Sequence, residues 1–320
     1  MPSTVQSPLT PPLDTPSGWR PSDELTPISP DTTLRDAYDW LVIGAGITGL
    51  GAATRLGEIA SNDSVLLVDA RSVGWGASGR NSGFLLDLPH KYDLESRDRD
   101  RLTKITRLNR LAIEMLRDRS EAFDIACDWS EVGKLQGAVR ERGTGMLRDF
   151  TEALDWLGQS YEVWERDACD AMIGTRHYAA AVFTPGAVLV DPLQLVRGLA
   201  GALADNVTLA DDTPVVRFEK TPAGYRVLMR RPDGQQFDVL AKRVILATDP
   251  YTGQFGYMKT KIVPTITFAS ITRPLSACEL KRYRGRLNWG LTPADPAGTT
   301  LRMTSEGRLL IRNHYGRIRR

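Results

Sequence analysis

Gly44, Gly46 and Gly49, followed 20 residues beyond Gly49 by Asp69, are the first residues whose types and spacing could do chemistry. In Gly44-Ala45-Gly46-Ile47-Thr48-Gly49 the first glycine permits a tight turn. The second lacks the Cβ that would hold a pyrophosphate off the backbone, and the third lets a helix pack close to a sheet. A helix starting there directs free N–H groups and its positive end at phosphate. Asp69 stands where a carboxylate accepts hydrogen bonds from ribose hydroxyls. The chemistry is dinucleotide recognition.

The elements needed to position these residues are present around them. An apolar run, Trp40 to Ile43, precedes the turn. A small-residue helix, Leu50 to Ile59, follows it, and a second apolar run, Val65 to Val68, ends at Asp69. This is the strand, turn, helix and strand of a βαβ unit. The acid argues against a 2′-phosphate, although Arg71 leaves NADP open. Arg71 to Gly83 then forms a glycine-rich loop with Ser78, Arg80, Asn81 and Ser82 as donors. Such a loop can run along an extended cofactor or simply lie at the surface.

DWLVIGAGITGL (39–50), LLVDA (66–70), GASGRNSG (76–83), LVDPLQLVRGLA (189–200), VILATDPYTG (244–253) and GTTLRMTSEGRLLIRN (298–313) together resemble one family. It is the FAD-dependent amine and amino-acid oxidoreductases of the D-amino-acid oxidase and glycine oxidase superfamily, with gamma-glutamylputrescine oxidases as the most similar branch. The resemblance implies an α/β fold: a discontinuous Rossmann-like FAD-binding domain with an interleaved antiparallel-sheet α+β substrate domain. It implies FAD contacts from Gly44 to Gly49, at Asp69, Ala70 and Arg71, at Ala77, Ser78, Arg80, Asn81, Ser82 and Gly83, and at Val215, Ala247 and Thr248. The implied chemistry is hydride removal from a carbon bearing an amine, with dioxygen as electron acceptor.

Members of that family continue past the strand that LLIRN resembles, into a segment closing over the flavin. This chain ends at Arg320, so a truncated, catalytically impaired flavoprotein with poor FAD retention is the alternative expectation. A flavin-dependent RNA-modifying enzyme is a further one, and a net charge of +2 disfavours it.

Candidate substrate residues are fewer. His90 could titrate near neutrality. Tyr251, Arg302 and Arg312 could orient an amino-acid-like substrate, because a guanidinium fork suits a carboxylate. For each of them an ordinary structural or surface role is the alternative reading. No metal site is expected: Cys127, Cys169 and Cys278 are far apart and odd in number. The same count fits a reducing compartment, and the first 35 residues lack a signal-type apolar core. A cytoplasmic protein without nucleic-acid or membrane partners is expected, its oligomeric state open.

Periodicity predicts a helix within 100–126, a strand over 134–139, a helix over 143–157 and strands near 161–164 and 180–183. A helix from Pro192 follows, then strands at 207–209, 215–219, 225–229, 237–240 and 243–247. The expected division is a Pro-rich arm (1–35), an FAD domain (36–90 and 190–255), a substrate domain (91–189 and 256–313) and a basic tail (314–320).

Overall fold

The uninterrupted apolar runs of the βαβ motif become strands buried on both faces. In chain order the strands are β1 (Thr4–Gln6), β2 (Ala37–Ile43), β3 (Val65–Val68), β4 (Phe84–Leu85) and β5 (Lys134–Ala138). Then come β6 (Glu162–Glu165), β7 (Ala180–Thr184), β8 (Val188–Leu189), β9 (Val207–Ala210), β10 (Val215–Thr221) and β11 (Gly224–Arg230). The last are β12 (Gln236–Leu246), β13 (Thr265–Ile271), β14 (Trp289–Pro293), β15 (Thr300–Met303) and β16 (Leu309–Arg317). The helices are α1 (Ile47–Ile59), α2 (Arg99–Ala122), α3 (Glu141–Leu157), α4 (Arg166–Ile173), α5 (Pro192–Gly201) and α6 (Ala277–Leu280). The structure is a computed structural model and describes residues 4–6, 17–20, 25–29, 32–89, 98–258 and 260–317.

The chain divides into two units: 1–81, 123–126 and 192–264 form the first, and 82–122, 127–191 and 265–320 the second. The first unit holds a seven-stranded sheet in the order β1-β10-β11-β12-β2-β3-β9. Strands β12, β2, β3 and β9 run parallel, and the β1, β10 and β11 side is antiparallel. Parallel neighbours need a crossover, which α1 supplies between β2 and β3. Leu41, Leu66, Val68, Val227 and Met229 lie in the core of this unit, each burial contributing about 1.5–3 kcal/mol. Gly57 of α1 allows close packing, since a Cβ there would meet Ala204 and Val207 side chains at 3.1 Å.

Two expected strands, 237–240 and 243–247, are one. β12 runs antiparallel to β11 over its first part and parallel to β2 over Leu240–Leu246. No Gly or Pro interrupts it, and Val239 and Ala241 both point into the core. The expected arm is also partly ordered, because β1 pairs with β10.

The second unit holds its own seven-stranded sheet, β13-β16-β15-β14-β5-β7-β6. It is antiparallel apart from the β14–β5 pair. Leu135, Trp289, Leu291 and Met303 fill its core beside α4. Residues 82–89 are assigned here rather than to the first unit, as the β4–β8 pairing explains. Strand β16 runs to Arg317 and absorbs most of the expected basic tail. On α2 the buried stripe is Leu102, Thr106, Ile113 and Ser120, while Leu108 and Leu111 face solvent. The observed stripe follows steps of four and seven, and those two leucines fall off it.

Candidate dinucleotide site

The site grows from the end of β2. Gly44 sits at φ +104°, which a side chain rarely adopts, and a Cβ there would meet the Ala247 carbonyl oxygen at 2.5 Å. Its N–H donates to the Val68 carbonyl at 2.7 Å, and Ala247 N–H donates to the Ile43 carbonyl at 2.8 Å. The turn is thereby pinned between β3 and the end of β12. Gly49 closes the packing: a Cβ there would lie 1.7 Å from the Gly44 carbonyl oxygen.

Gly46 occupies the N-cap position of α1 with no side-chain cap, and the first turn carries no acidic residue. The positive end of the helix is therefore not neutralised by its own sequence. Ser78 reaches it from the glycine-rich loop, with Oγ accepting from Ile47 N–H at 3.0 Å. A Cβ on Gly46 would meet that same Oγ at 2.8 Å. A hydroxyl accepting from the helix start stands where a phosphate oxygen would accept, and Ile47 and Thr48 are exposed there.

Asp69 extends from β3 and binds the turn. Its Oδ2 accepts from Ala45 N–H at 2.7 Å and its Oδ1 from Arg71 N–H at 3.0 Å. The half-buried carboxyl is pushed up to about 6 by desolvation, with Asp211 and Asp212 adding to the rise against the two N–H donors. A carboxylate has about four lone-pair sites, so hydroxyl donors can still be accepted. Both the glycine turn, where a hydroxyl now accepts from the helix start, and the carboxylate beside it fit a dinucleotide. The pyrophosphate would lie against the turn and α1, and the adenosine ribose against Asp69.

The loop that follows is folded onto itself. Gly74, at φ +91°, leaves room that a Cβ would contest with Leu193 at 2.4 Å. Arg80 Nε donates to the Trp75 carbonyl, and its guanidinium lies 4.8 Å from the Trp75 ring centroid. Asn81 Nδ2 donates to the Ser78 carbonyl at 2.8 Å, and Trp19 Nε1 donates to the Asn81 carbonyl at 2.9 Å. Arg80 and Asn81 were expected to reach a cofactor. In this structure Arg80 Nε and Asn81 Nδ2 donate to carbonyls of the loop itself. Ala77 is exposed beside them.

Ala70 follows Asp69, and Thr248 ends the β12 segment with its hydroxyl 3.0 Å from that of Thr252. Val215 is buried in the sheet core at a register shift in β10, so its side chain serves packing. Tyr251 lies in a 3-10 turn over Asp249–Phe255, its hydroxyl pKa raised by burial. Ser82 and Gly83 belong to the second unit, where their carbonyls accept from Arg302. His90 lies outside the described residues.

Arg302, a candidate for orienting substrate, is fully buried. Its Nη1 donates to the carbonyls of Ser82, Gly83 and Val190, and burial lowers its pKa to about 10. It ties strand β15 to the segments carrying β4 and β8. Arg312 Nη2 donates to Thr300 Oγ1 on the neighbouring strand. Replacing Arg302 with Leu should cost about 3 kcal/mol or more, because the carbonyls of Ser82 and Val190 lose the guanidinium while that of Gly83 keeps Val190 N–H. A urea unfolding midpoint unchanged in Arg302→Leu would count against this tie.

Two acids were not singled out in the sequence. Asp211, buried at the end of β9, accepts from the N–H groups of Ile28, Ser29 and Val73. Asp212 accepts from Ser72 Oγ at 2.6 Å. Their position at a parallel strand's C-terminal end was the available signal. Among the described residues no group of His, Cys, Asp and Glu could hold a metal ion, and no helix is long and apolar enough to cross a membrane.

Comparison with known proteins agrees with this geometry. The chain is 28% identical over 258 residues to the probable oxidoreductase OrdL of Haemophilus influenzae, covering 77% of this chain and 58% of the relative. It is 28% identical over 239 residues to the gamma-glutamylputrescine oxidoreductase of Escherichia coli, covering 70% and 52%. The chain thus spans just over half the length of these curated relatives. The crystal structure of glycine oxidase from Geobacillus kaustophilus shares the fold, with a TM-score of 0.68 at 17% identity over 88% of this chain and 72% of that one. The structure of L-proline dehydrogenase from P. horikoshii does so with a TM-score of 0.66 at 17% identity over 87% and 70%. The model of the family described as FAD dependent oxidoreductase matches residues 39–318, and the chain belongs to that family.

Proposed function

We propose that this chain binds FAD in the first unit and serves the oxidation of a C–N bond in an amine or amino-acid-like substrate, with dioxygen as electron acceptor. The observation that carries the reading is the start of α1 at Gly46, whose own N-cap supplies no side chain and whose first turn holds no acid, with Asp69 tied to the same turn. Relatives whose names include gamma-glutamylputrescine oxidoreductase and glycine oxidase support the substrate class. Bound FAD would supply the hydride acceptor. The chain's own residues hold and orient: α1 offers its N–H groups to phosphate, and Asp69 accepts from ribose hydroxyls.

The test is a flavin titration of the purified chain, followed by a peroxide assay. Saturable quenching of flavin fluorescence is expected. Peroxide release is expected with primary or secondary amines and not with matched 2-hydroxy acids. Saturable flavin binding with hydroxy-acid turnover would refute the substrate class and leave the cofactor assignment standing. Absence of flavin binding would refute both.

A further inference from the structure

Within the first unit, the N-terminal arm is tied to both ends of the glycine-rich loop that follows Asp69. Buried Trp19 makes the tie at the far end, donating from Nε1 to the Asn81 carbonyl at 2.9 Å. Thr26, Ile28 and Ser29 make the tie at the near end, around Val73. The earlier arm residue meets the later loop residue, so the two segments are tied in opposite chain directions.

Two charged side chains make the tie at Val73. Asp211, only 3% exposed, accepts through Oδ2 from Ile28 N–H at 2.9 Å and Val73 N–H at 3.2 Å. Its Oδ1 accepts from Ser29 N–H at 3.2 Å and Ser29 Oγ at 3.1 Å. Arg197 on α5 serves the carbonyls of the same two segments. Its Nη1 donates to Val73 at 3.2 Å and its Nη2 to Thr26 at 3.1 Å. One carboxylate thus gathers N–H groups from arm and loop, and one guanidinium gathers their carbonyls. Hydrogen bonds of this charge-assisted kind are about twice as strong as neutral ones.

The place of the latch bears on the cofactor. Val73 lies two residues past Arg71, whose N–H Asp69 accepts at 3.0 Å. Asp211 is also near enough to Asp69 to raise its pKa. Holding Val73 keeps the turn between Asp69 and Arg71 in place beside the ribose position. Holding Asn81 keeps Ser78, to whose carbonyl its side chain donates, beside the start of α1.

We infer that Asp211 and Arg197 are positioning residues that latch the N-terminal arm onto the glycine-rich loop, and that this strap slows the release of bound FAD. The inference rests on the flavin reading and deepens it, giving retention of the cofactor to a segment outside the glycine turn. Coupling of this kind is reciprocal: if the latched state holds FAD more tightly, bound FAD must favour the latched state by the same factor.

Two measurements on the full chain test the strap: the rate of FAD release after dilution, and amide hydrogen exchange at Ile28 and Ser29 with and without FAD. Arg197→Met removes both carbonyl ties and keeps an apolar stem. Ser29→Asp sets a second carboxylate against Asp211. Each should speed FAD release about tenfold or more, the worth of one charge-assisted hydrogen bond. In the unaltered chain bound FAD should slow exchange at both amides several-fold, a measurement that needs no variant to fold. Unchanged release in either folded variant would overturn the strap even if its urea midpoint falls, because the arm would then brace the fold alone. Exchange at Ile28 and Ser29 that ignores FAD, or quickens with it, would overturn the strap as well. In both cases FAD still binds and the flavin reading stands, whereas an unaltered chain that binds no FAD would overturn that reading and the strap together.

Discussion

Replacing Gly46 with Val is expected to lower FAD affinity about a hundredfold or more while the chain still folds. The backbone at Gly46 has φ −75° and ψ −178°, open to any residue. The nearest atom to a new Cβ is Ser78 Oγ at 2.8 Å, the end of a side chain that can rotate away. The branched side chain then stands at the start of α1, where the pyrophosphate must approach. Gly49→Ala is the contrast: its Cβ would fall 1.7 Å from the Gly44 carbonyl oxygen, a backbone atom. Gly44 cannot retreat, because its turn is pinned by hydrogen bonds to β3 and packed against the Ala247 carbonyl. Gly49→Ala should therefore lose the fold itself. Thermal melts by circular dichroism and flavin quenching read the two effects separately. A Gly46→Val chain with unchanged FAD affinity would show that the phosphates lie elsewhere, and a normally folded Gly49→Ala would show that the turn can yield.

The contrast marks what the sequence disclosed and what it did not. The βαβ unit was legible because its determinants are local: glycines at fixed spacing, apolar runs and a terminal acid within about thirty positions. The roles within the loop of residues 71–83 were not legible, because the atoms that shape it come from Trp19 and Leu193, distant in sequence. Arg302 shows the same limit at one residue. Its chemistry suited a carboxylate, but burial redirected it to the carbonyls of Ser82, Gly83 and Val190, and burial is a tertiary property. Strand β12 was divided in two because it changes partners midway, from antiparallel β11 to parallel β2, without a turn residue to mark the change.

FAD affinity should fall as pH drops through about 6, and the sign follows from Asp69. Its carboxyl is pushed up from an ordinary value near 3.8 to about 6. Ribose hydroxyls donate to the ionised form, so binding favours loss of the proton. Well below the folded pKa, affinity should approach a tenfold loss per pH unit, which is linkage for one proton. The stability of the flavin-free chain has the opposite slope. Between pH 3.8 and 6 the folded state holds a proton on Asp69 that the unfolded state has released. The contribution of Asp69 to stability is therefore complete below 3.8, is lost as pH rises through about 6, and is level above that. Asp69→Ala should flatten both profiles and lower FAD affinity at neutral pH about tenfold to a hundredfold, the worth of charge-assisted hydrogen bonds. Flavin titrations from pH 5 to 8 and urea unfolding of the flavin-free chain over the acid range read the two slopes independently. Parallel slopes, or an Asp69→Ala chain that keeps the native pH dependence of FAD binding, would remove Asp69 from the ribose contact and return that role to another group at the end of β3 or β9.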